Sequence, residues 1–282
     1  MKYSFQLLLF FVISIGLSNG LDAAEKKPSK KAMKSVKKVA EKEQAYLQIP
    51  FTLDGNIIPK NFLGHDLRAV YKKLEERKDR KKGEFETTAQ YNSRIELEDK
   101  SPLFGSVKIG DKLSLVANVG SSYDADNSKL RVDIPSVDSW RTKYAFGITG
   151  QEIYNIRKNY IASNSYGATV EVSEHLQANA ILVVNNIQKF NVDSGYSKQL
   201  EFVLDNFPNE KARKLKNQLM AICVFTLTDP FLGDDGYYLK ATMDSPIEAV
   251  TSNKLVYGNL EEVILYNDET GEVLTRVRPN PS

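Results

Sequence analysis

Four side chains able to bind a charged or aromatic ligand lie within GEFETTAQYNSR, residues 83–94 of the 282-residue chain. Two of them are carboxylates, one is a phenol and one is a planar guanidinium; they are Glu84, Glu86, Tyr91 and Arg94. We predict that these four side chains form a binding surface. We assign no catalytic residue.

The same stretch also has a purely structural interpretation. Thr87, followed three residues later by Gln90, fits a capping box, in which each side chain satisfies a backbone N–H of the other residue. Gly83 would end the preceding helix, and acids just before the next helix suit the positive end of its dipole. On this interpretation the stretch is a helix–turn–helix junction. A pair between Arg94 and one of the two acids would make it a structural clasp.

Two pairs of aspartates suggest other chemistry. YDADNS places Asp124 and Asp126 two residues apart and offers oxygens to Ca²⁺, but it lacks the glycine and glutamate that complete an EF-hand loop. FLGDDGYY places Asp234 beside Asp235, whereas the two carboxylates of a glycosidase come from separate positions across a cleft. We interpret both pairs as turns.

The two histidines and the single cysteine do not form a catalytic or metal motif. His65 and His175 have no HExxH spacing, and we interpret both as surface or packing residues. Cys223 lies in the apolar run AICVFTL, which predicts a core thiol rather than a nucleophile. Neither a G-x-S-x-G elbow nor a glycine-rich phosphate loop is present, which disfavours α/β-hydrolases and nucleotide enzymes. We predict no metal and no cofactor, and we favour a protein that is not an enzyme.

Charge is distributed unevenly along the chain. The formal net charge is +2, but residues 25–43 alone carry eight lysines and three glutamates. We predict that residues 21–50 form a basic, disordered lead-in. It could meet an envelope protein or an anionic cell-wall or membrane surface, or serve only as a solubilising linker. Nucleic acid is disfavoured, because the basic residues are not interleaved with aromatic residues on one face.

The first twenty residues predict an exported protein. Lys2 supplies a positive charge, an apolar run extends from Leu7 to Ile15, and small or polar residues follow up to Gly20. The run is shorter than the roughly 20 residues of a membrane-spanning helix. We predict a signal peptide over 1–20, cleaved near Gly20, and a periplasmic or secreted protein. An uncleaved N-terminal anchor that tethers the chain to the membrane is the alternative.

Two hydrophobic patterns divide the rest of the chain. Apolar residues at helical spacing over 63–74 predict an amphipathic helix, and we predict that residues 51–100 form a helical segment. Strand patterns follow in KLSLVANV, KLRVDIPSV, YAFGI, ATVEV and NAILVVNNI. A further helix is predicted to begin near Pro208 and to continue through Leu215 and Leu219, and a hairpin is predicted in EEVILYNDETGEVLTRV. The predicted fold is therefore α+β, with N-terminal helices followed by a mainly antiparallel β-rich body over 101–282.

Four short motifs resemble a group of uncharacterised bacterial exported proteins. They are KGEFETTAQYNSRI, YDAD, NSYGATVEV and VILYNDETGEVL, in this order along the chain. The group is similar in its EFETTxxYxxR signature, its Tyr-Asp-Ala-Asp segment, its Asn-x-aromatic-Gly-Ala segment and its C-terminal Thr-Gly hairpin. The resemblance covers residues 102–277 together with the first motif. It implies an envelope location and no established activity.

These observations predict an exported soluble envelope protein with a non-enzymatic binding or accessory role, and they leave its oligomeric state open. The alternative is a carboxylate- or metal-dependent hydrolase acting on cell-envelope material. A deep cavity that joins the aspartate pairs with His175 would favour the hydrolase. A smooth sheet surface without a pocket would favour binding. Exposed tyrosines beside turns are typical of a recognition surface, although strand composition alone also accounts for them. The tyrosines concerned are Tyr123, Tyr144, Tyr237 and Tyr238.

Overall fold

Long β-strands dominate the chain, because β-branched and aromatic runs such as ILVV and AICVFTL favour extended backbone. A computed structural model describes residues 45–77, 80–137, 146–190, 192–193 and 199–280. The predicted signal peptide, the lead-in up to residue 44 and Tyr144 lie outside the described residues. The described residues all belong to one compact unit, 43–282.

Three α-helices and ten strands are present among these residues. The helices are α1 (Leu67–Glu75), α2 (Thr88–Lys100) and α3 (Asn209–Leu215). The strands are β1 (Leu113–Asn118), β2 (Gly120–Asp124), β3 (Lys129–Pro135), β4 (Phe146–Ser163), β5 (Thr169–Val184), β6 (Val192–Asp193), β7 (Gln199–Leu204), β8 (Leu219–Leu239), β9 (Ile247–Asn267) and β10 (Val273–Val277). No helix of this part of the chain is long and apolar enough to span a bilayer.

The larger sheet has six strands in the order β1–β8–β9–β5–β4, with β10 also paired to β9. Its pairs are antiparallel, except that β5 and β9 run parallel. β8 and β9 have 21 residues each and form one long hairpin, and β4 and β5 form a second. Because Ser173 near the start of β5 pairs with Ile247 at the start of β9, both hairpin turns lie at the same end of the sheet.

The smaller sheet has four antiparallel strands in the order β2–β3–β7–β6. Along β3, the buried side chains Leu130, Val132 and Ile134 alternate with residues that are exposed or half-buried, as expected for a strand with one face on a core. In β7, Leu200 and Phe202 are buried in the same way. These apolar faces belong to the same hydrophobic cluster as buried residues of the larger sheet, so the two sheets share one core.

Helix α1 packs on this core. It begins after Asp66, whose Oδ1 accepts a hydrogen bond from the Arg68 N–H (3.0 Å). The predicted apolar stripe is confirmed within the helix, where Leu67, Val70, Tyr71 and Leu74 are buried. The prediction that the helix continues to Gly83 is wrong, since α1 ends at Glu75. The reason is that EERKDRKKG contains no apolar residue that could extend the buried face.

The predicted α+β class, with N-terminal helices followed by a mainly antiparallel β-rich body, is wrong. The structure is mostly β, with 50% strand and 15% helix. ATVEV and NAILVVNNI, expected as separate strands, both contribute to the single strand β5. The helix expected from Pro208 to Leu219 is shorter, because α3 ends at Leu215 and β8 begins at Leu219. Pairing between distant strands therefore determines the fold class, and local sequence patterns underestimate the strand content.

The predicted C-terminal hairpin is confirmed. β9 ends at Asn267, and the Gly271 N–H donates to the Asn267 carbonyl (2.8 Å) before β10 begins. Gly271 has a φ of 76°, which side chains other than glycine rarely adopt. A Cβ at this position would also lie 2.1 Å from the carbonyl oxygen of Ile58, so the turn is held against the segment before α1.

Candidate functional site

The capping box predicted in GEFETTAQYNSR is confirmed. Thr87 is the N-cap of α2, and its Oγ1 accepts a hydrogen bond from the Gln90 N–H (3.2 Å). Gln90 Oε1 accepts one from the Thr87 N–H (2.9 Å) in return. Local hydrogen bonding therefore explains why the helix begins here.

Arg94 and Glu86 form a two-pronged ion pair within the same stretch. Arg94 Nε donates to Glu86 Oε1 and Arg94 Nη2 donates to Glu86 Oε2, both at 2.9 Å. The hydrogen bonds from Arg94, and after them one from the Gly83 N–H (3.1 Å), lower the pKa of Glu86 to about 2. Arg94 also donates to Glu98 Oε1 (3.2 Å), one helical turn further on. The stretch is thus a clasp between the turn and α2.

The four predicted binding residues lie close together but do not share one depression. Glu84, Glu86 and Arg94 line an open surface depression of about 810 Å³. Tyr91 lines a neighbouring depression of about 550 Å³, and its ring centre lies 5.6 Å from the Arg94 guanidinium carbon. Phe85, between the two acids, is 93% exposed. A binding role for these residues stays a prediction.

Helix α2 buries none of its side chains, and arginines of the preceding segment hold it in place. Arg80 Nη1 lies 2.8 Å from Asp99 Oδ1, and the Arg80 guanidinium carbon lies 4.9 Å from the ring centre of Phe231 in β8. Arg77 Nη1 donates to the carbonyl of Glu98 (2.9 Å). Ion pairs and backbone contacts therefore anchor α2, where a typical surface helix uses an apolar stripe.

The structure confirms the turn predicted at one aspartate pair and contradicts the turn predicted at the other. Asp124 Oδ1 accepts hydrogen bonds from the backbone N–H groups of Asp126 and Asn127 (both 3.1 Å), so the turn predicted there is confirmed. Asp234 and Asp235 lie inside β8, so the turn predicted there is wrong. The reason is that β9 pairs with this whole part of β8 and keeps its glycines extended. Neighbouring strand residues point to opposite faces, so Asp234 and Asp235 do not face one ligand.

The residues expected to converge in a hydrolase are separated. Asp124 belongs to the smaller sheet, whereas Asp234 belongs to the larger sheet and accepts hydrogen bonds from Lys254 Nζ (2.6 Å) and the Tyr71 hydroxyl (3.1 Å). By the strand register, His175 of β5 lies on the opposite face from Asp234. Within the described ranges, no group of three or more His, Cys, Asp or Glu side chains is placed to hold a metal ion.

The packing role predicted for His65 and the core role predicted for Cys223 are both confirmed. His65 is 1% exposed and contacts Ser114 of β1. Cys223 is fully buried in β8, and burial raises the pKa of its thiol to about 12. Neither side chain is placed to do chemistry on a ligand.

Sequence reasoning missed the most prominent surface of the molecule, at the turn end of the two long hairpins. We call this surface the distal end and define it as residues 153–178 and 232–253. Sixteen large hydrophobic side chains are exposed among the described residues, and eleven of them lie at the distal end. They are Ile153, Tyr154, Ile156, Tyr160, Ile161, Tyr166, Tyr237, Tyr238, Leu239, Met243 and Ile247. Such concentration is typical of an interaction surface.

Two tyrosines fix one carboxylate at the centre of the distal end. Within this part of the sheet β8 and β4 are the outer strands, and they contribute Tyr238 and Tyr160. The Tyr238 hydroxyl donates to Glu248 Oε1 (2.9 Å), and the Tyr160 hydroxyl donates to Glu248 Oε2. The hydrogen bond from Tyr160, and after it the one from Tyr238, lower the pKa of Glu248. The carboxylate is therefore ionised at neutral pH.

We call Tyr160, Tyr238 and Glu248 the tyrosine cluster. These three residues line one side of a cavity of about 360 Å³. Its walls are largely apolar and include Val172 and Met243.

The predicted exposure of Tyr237 and Tyr238 is confirmed. For Tyr123 it is wrong, since this residue is half-buried and its hydroxyl donates to the Phe207 carbonyl (2.8 Å). Tyr160 and Glu248 carry no local signal, because the contact joins residues 88 positions apart.

The described residues define a mostly β protein with two sheets around one core and an exposed aromatic surface at one end of the longer sheet. No protein-family model, curated protein sequence or solved structure matches the chain. The resemblance to a group of exported bacterial proteins, and the location it implies, stay predictions.

Proposed function

We propose that this is a non-enzymatic binding protein of the bacterial envelope, which contacts its partner through the distal end. The observation that carries the proposal is the tyrosine cluster, where two phenols orient an ionised carboxylate inside an exposed apolar surface. Surfaces that combine tyrosine, methionine and aliphatic residues around one fixed polar group are typical of protein–protein contacts.

The chemistry of the cluster favours a polypeptide partner that donates a hydrogen bond or a positive charge to Glu248. Each carboxylate oxygen accepts one tyrosine hydroxyl, which leaves further lone pairs available to a donor from outside. Lys158, which lies on the same face, is already paired with Glu174 (2.7 Å). Apolar side chains of the partner would cover Met243 and the tyrosine rings.

Capture from an envelope extract tests which surface binds. The full mature chain is compared with Glu248→Arg and Tyr238→Ser, and with the double variant Arg94→Ala/Glu86→Ala as the matched control on α2. We expect both distal variants to weaken capture of the wild-type partner about tenfold or more, as for residues at the centre of an interface. The control should bind normally. Circular dichroism verifies that each variant is folded.

The outcomes of this comparison are distinct. Loss of capture only in the α2 variant would assign binding to GEFETTAQYNSR and contradict a role for the distal end. Capture that all variants retain would contradict both surfaces.

The envelope location is a separate part of the proposal and has its own test. Cell fractionation followed by mass spectrometry of the mature chain should find it outside the cytoplasm and beginning at Leu21, since cleavage after Gly20 leaves small residues at the two positions that signal peptidase reads. An intact N-terminus in the membrane fraction would instead support the uncleaved anchor.

A further inference from the structure

We propose that the protein forms a homodimer in which the outer edge of β4 pairs antiparallel with β4 of a second copy. β4 is the last strand of the larger sheet, and no described strand pairs with its outer edge. Residues 152–161 are exposed, including Ile156 and Ile161, which are 49% and 68% exposed. An exposed edge that carries apolar side chains is a template for pairing with another chain.

The backbone groups of this edge are directed to receive a partner. At the hairpin turn the Asn164 N–H donates to the Ala168 carbonyl (2.9 Å), so these two residues form a hydrogen-bonded pair. Such pairs alternate along an antiparallel ladder, so the even-numbered residues of this part of β4 bond to β5. The odd-numbered residues Asn155, Arg157, Asn159 and Ile161 therefore direct their N–H and C=O groups outward.

The sequence of the edge is nearly the same in both directions. Residues 153–161 read IYNIRKNYI, and the reversed string differs only by exchanging Ile156 with Lys158. Antiparallel pairing about a two-fold axis through Arg157 places Tyr154 opposite Tyr160 of the second copy and Asn155 opposite its Asn159. Matched aromatic and amide pairs across strands stabilise a ladder.

The register is also consistent with the faces of the sheet. A two-fold axis perpendicular to the sheet keeps each face continuous, so residues opposite each other must have the same parity. The axis through Arg157 pairs each residue with the residue of the second copy for which the two residue numbers add to 314. Residue 154 thus lies opposite residue 160, and residue 157 lies opposite residue 157, so opposite residues always have the same parity. The hydrogen-bonded position falls on Arg157, whose outward N–H donates to the carbonyl oxygen of Arg157 in the second copy and whose carbonyl oxygen accepts the same bond in return.

Two features limit the affinity. The Arg157 side chains of the two copies lie directly opposite each other, and like charges at such positions repel. Lys158 adds little repulsion, because Glu174 of its own copy holds it at 2.7 Å. A ladder of about nine residues buries less than the roughly 1,200 Å² of a stable interface, so we expect a dissociation constant on the order of 10–100 µM that decreases with added salt.

A second copy is favoured over an unrelated strand. Only pairing of β4 with itself makes use of the fact that residues 153–161 read nearly the same in both directions. An unrelated extended peptide would bond to the outward backbone groups equally well. Its side chains, however, would not require one particular alignment with those of β4. The experiment must therefore determine the register between the β4 strands of the two copies.

Disulfide cross-linking reads this register directly. Arg157→Cys places two thiols opposite each other at the Cα separation of about 5.5 Å for a hydrogen-bonded pair, within the range of a disulfide. Arg157→Gln/Ile161→Cys is the matched control, because it also lacks the Arg157 charge, while the proposed register puts its two thiols about 27 Å apart, at roughly 3.4 Å per residue. The native Cys223 is buried and does not interfere.

We expect mild oxidation to convert Arg157→Cys to a covalent dimer at least tenfold faster than Arg157→Gln/Ile161→Cys. Equal rates for the two variants would overturn the proposal. Sedimentation of the full chain gives the second measurement: Arg157→Gln should dimerise about two- to fivefold more tightly than wild type, because it removes the repulsion. Asn159→Pro should be monomeric, because it removes an outward N–H while leaving the backbone hydrogen bonds to β5; only the side-chain bond from Asn159 Nδ2 to Glu171 Oε1 (3.0 Å) is also lost. A wild type that stays monomeric at millimolar concentration in high salt, or a dimer unaffected by Asn159→Pro, would also overturn it.

Discussion

His65 Nδ1 accepts a hydrogen bond from the backbone N–H of Ser114 at 3.0 Å. Its Nε2 lies 3.0 Å from the carbonyl oxygen of Ile49, to which it donates. The ring thereby links β1 to the segment before α1, and only the neutral tautomer with its proton on Nε2 makes both bonds. Burial lowers the pKa of His65 below its usual 6.5.

Stability should therefore decrease in mild acid. Because the pKa of His65 is lower in the folded state than in the unfolded chain, the unfolded state takes up a proton first as the pH falls below 6.5. The contribution is fully present above this pH and is lost progressively below it. Urea unfolding of wild type and His65→Gln between about pH 7.5 and pH 5 measures the effect. The variant should be less stable by ~1–3 kcal/mol at the higher pH and show a flatter dependence. Parallel pH curves for the two proteins would contradict this account.

Glu86 should titrate far below an ordinary glutamate. Its folded pKa of about 2, against a usual 4.5, means that the pair with Arg94 stabilises the fold above pH 4.5, and this contribution is lost as the pH falls from 4.5 to about 2. The carboxyl-carbon NMR shift of Glu86 followed against pH measures the pKa. In Arg94→Ala the pKa should rise towards 4.5. Arg94→Lys is the control, and it should be intermediate, because it keeps the charge but loses the two-pronged geometry. An ordinary glutamate titration in wild type would show that the clasp does not form in solution.

The hydrogen bond from Tyr71 to Asp234 should couple α1 to the larger sheet. Tyr71 is 7% exposed, and its hydroxyl donates to Asp234 Oδ1 at 3.1 Å. We expect Tyr71→Phe to reduce the free energy of unfolding by ~0.5–1.5 kcal/mol, at the lower end because Asp234 is exposed to water. A double-mutant cycle with Asp234→Ala, followed by urea unfolding, isolates the pair. Additive losses would show that the two residues do not interact.

The Cys223 thiol should be inert in the folded protein. It is fully buried, and its pKa of about 12 leaves almost no thiolate at neutral pH. An aromatic disulfide reagent should label it only when denaturant unfolds the chain, with a rate that follows global unfolding. Cys223→Ser should be less stable by ~1–3 kcal/mol, because its hydroxyl would be buried in an apolar core. Rapid labelling of the native chain would show that this part of β8 opens locally.

Several local features could be predicted from residue types and short spacings. The capping box joins residues three positions apart, and the Asp124 turn joins an aspartate to the next N–H groups. The buried stripe of α1 follows from one helical period. Each depends on hydrogen bonds or periods that span only a few residues, so the sequence contains everything needed to infer them.

Other features depend on which distant segments pair. Asp234 and Asp235 have the composition of a turn, yet they are extended because β9 pairs with them across the whole distal end. The mostly β class likewise follows from joining several short apolar runs into strands of 16 to 21 residues. Strand propensity by itself does not decide this, because a strand is stabilised by the neighbour it pairs with.

Residue types and spacing alone determined the start of α2, the buried face of α1, the Asp124 turn and the core position of Cys223. The tertiary structure alone decided that Arg94 binds Glu86 rather than Glu84, that β4 forms an edge, and that Tyr160 and Tyr238 meet at Glu248. The physical reason is the range of the interactions. Local bonds are set by neighbouring residues, whereas the tyrosine cluster requires the register of four strands to bring together residues 88 positions apart.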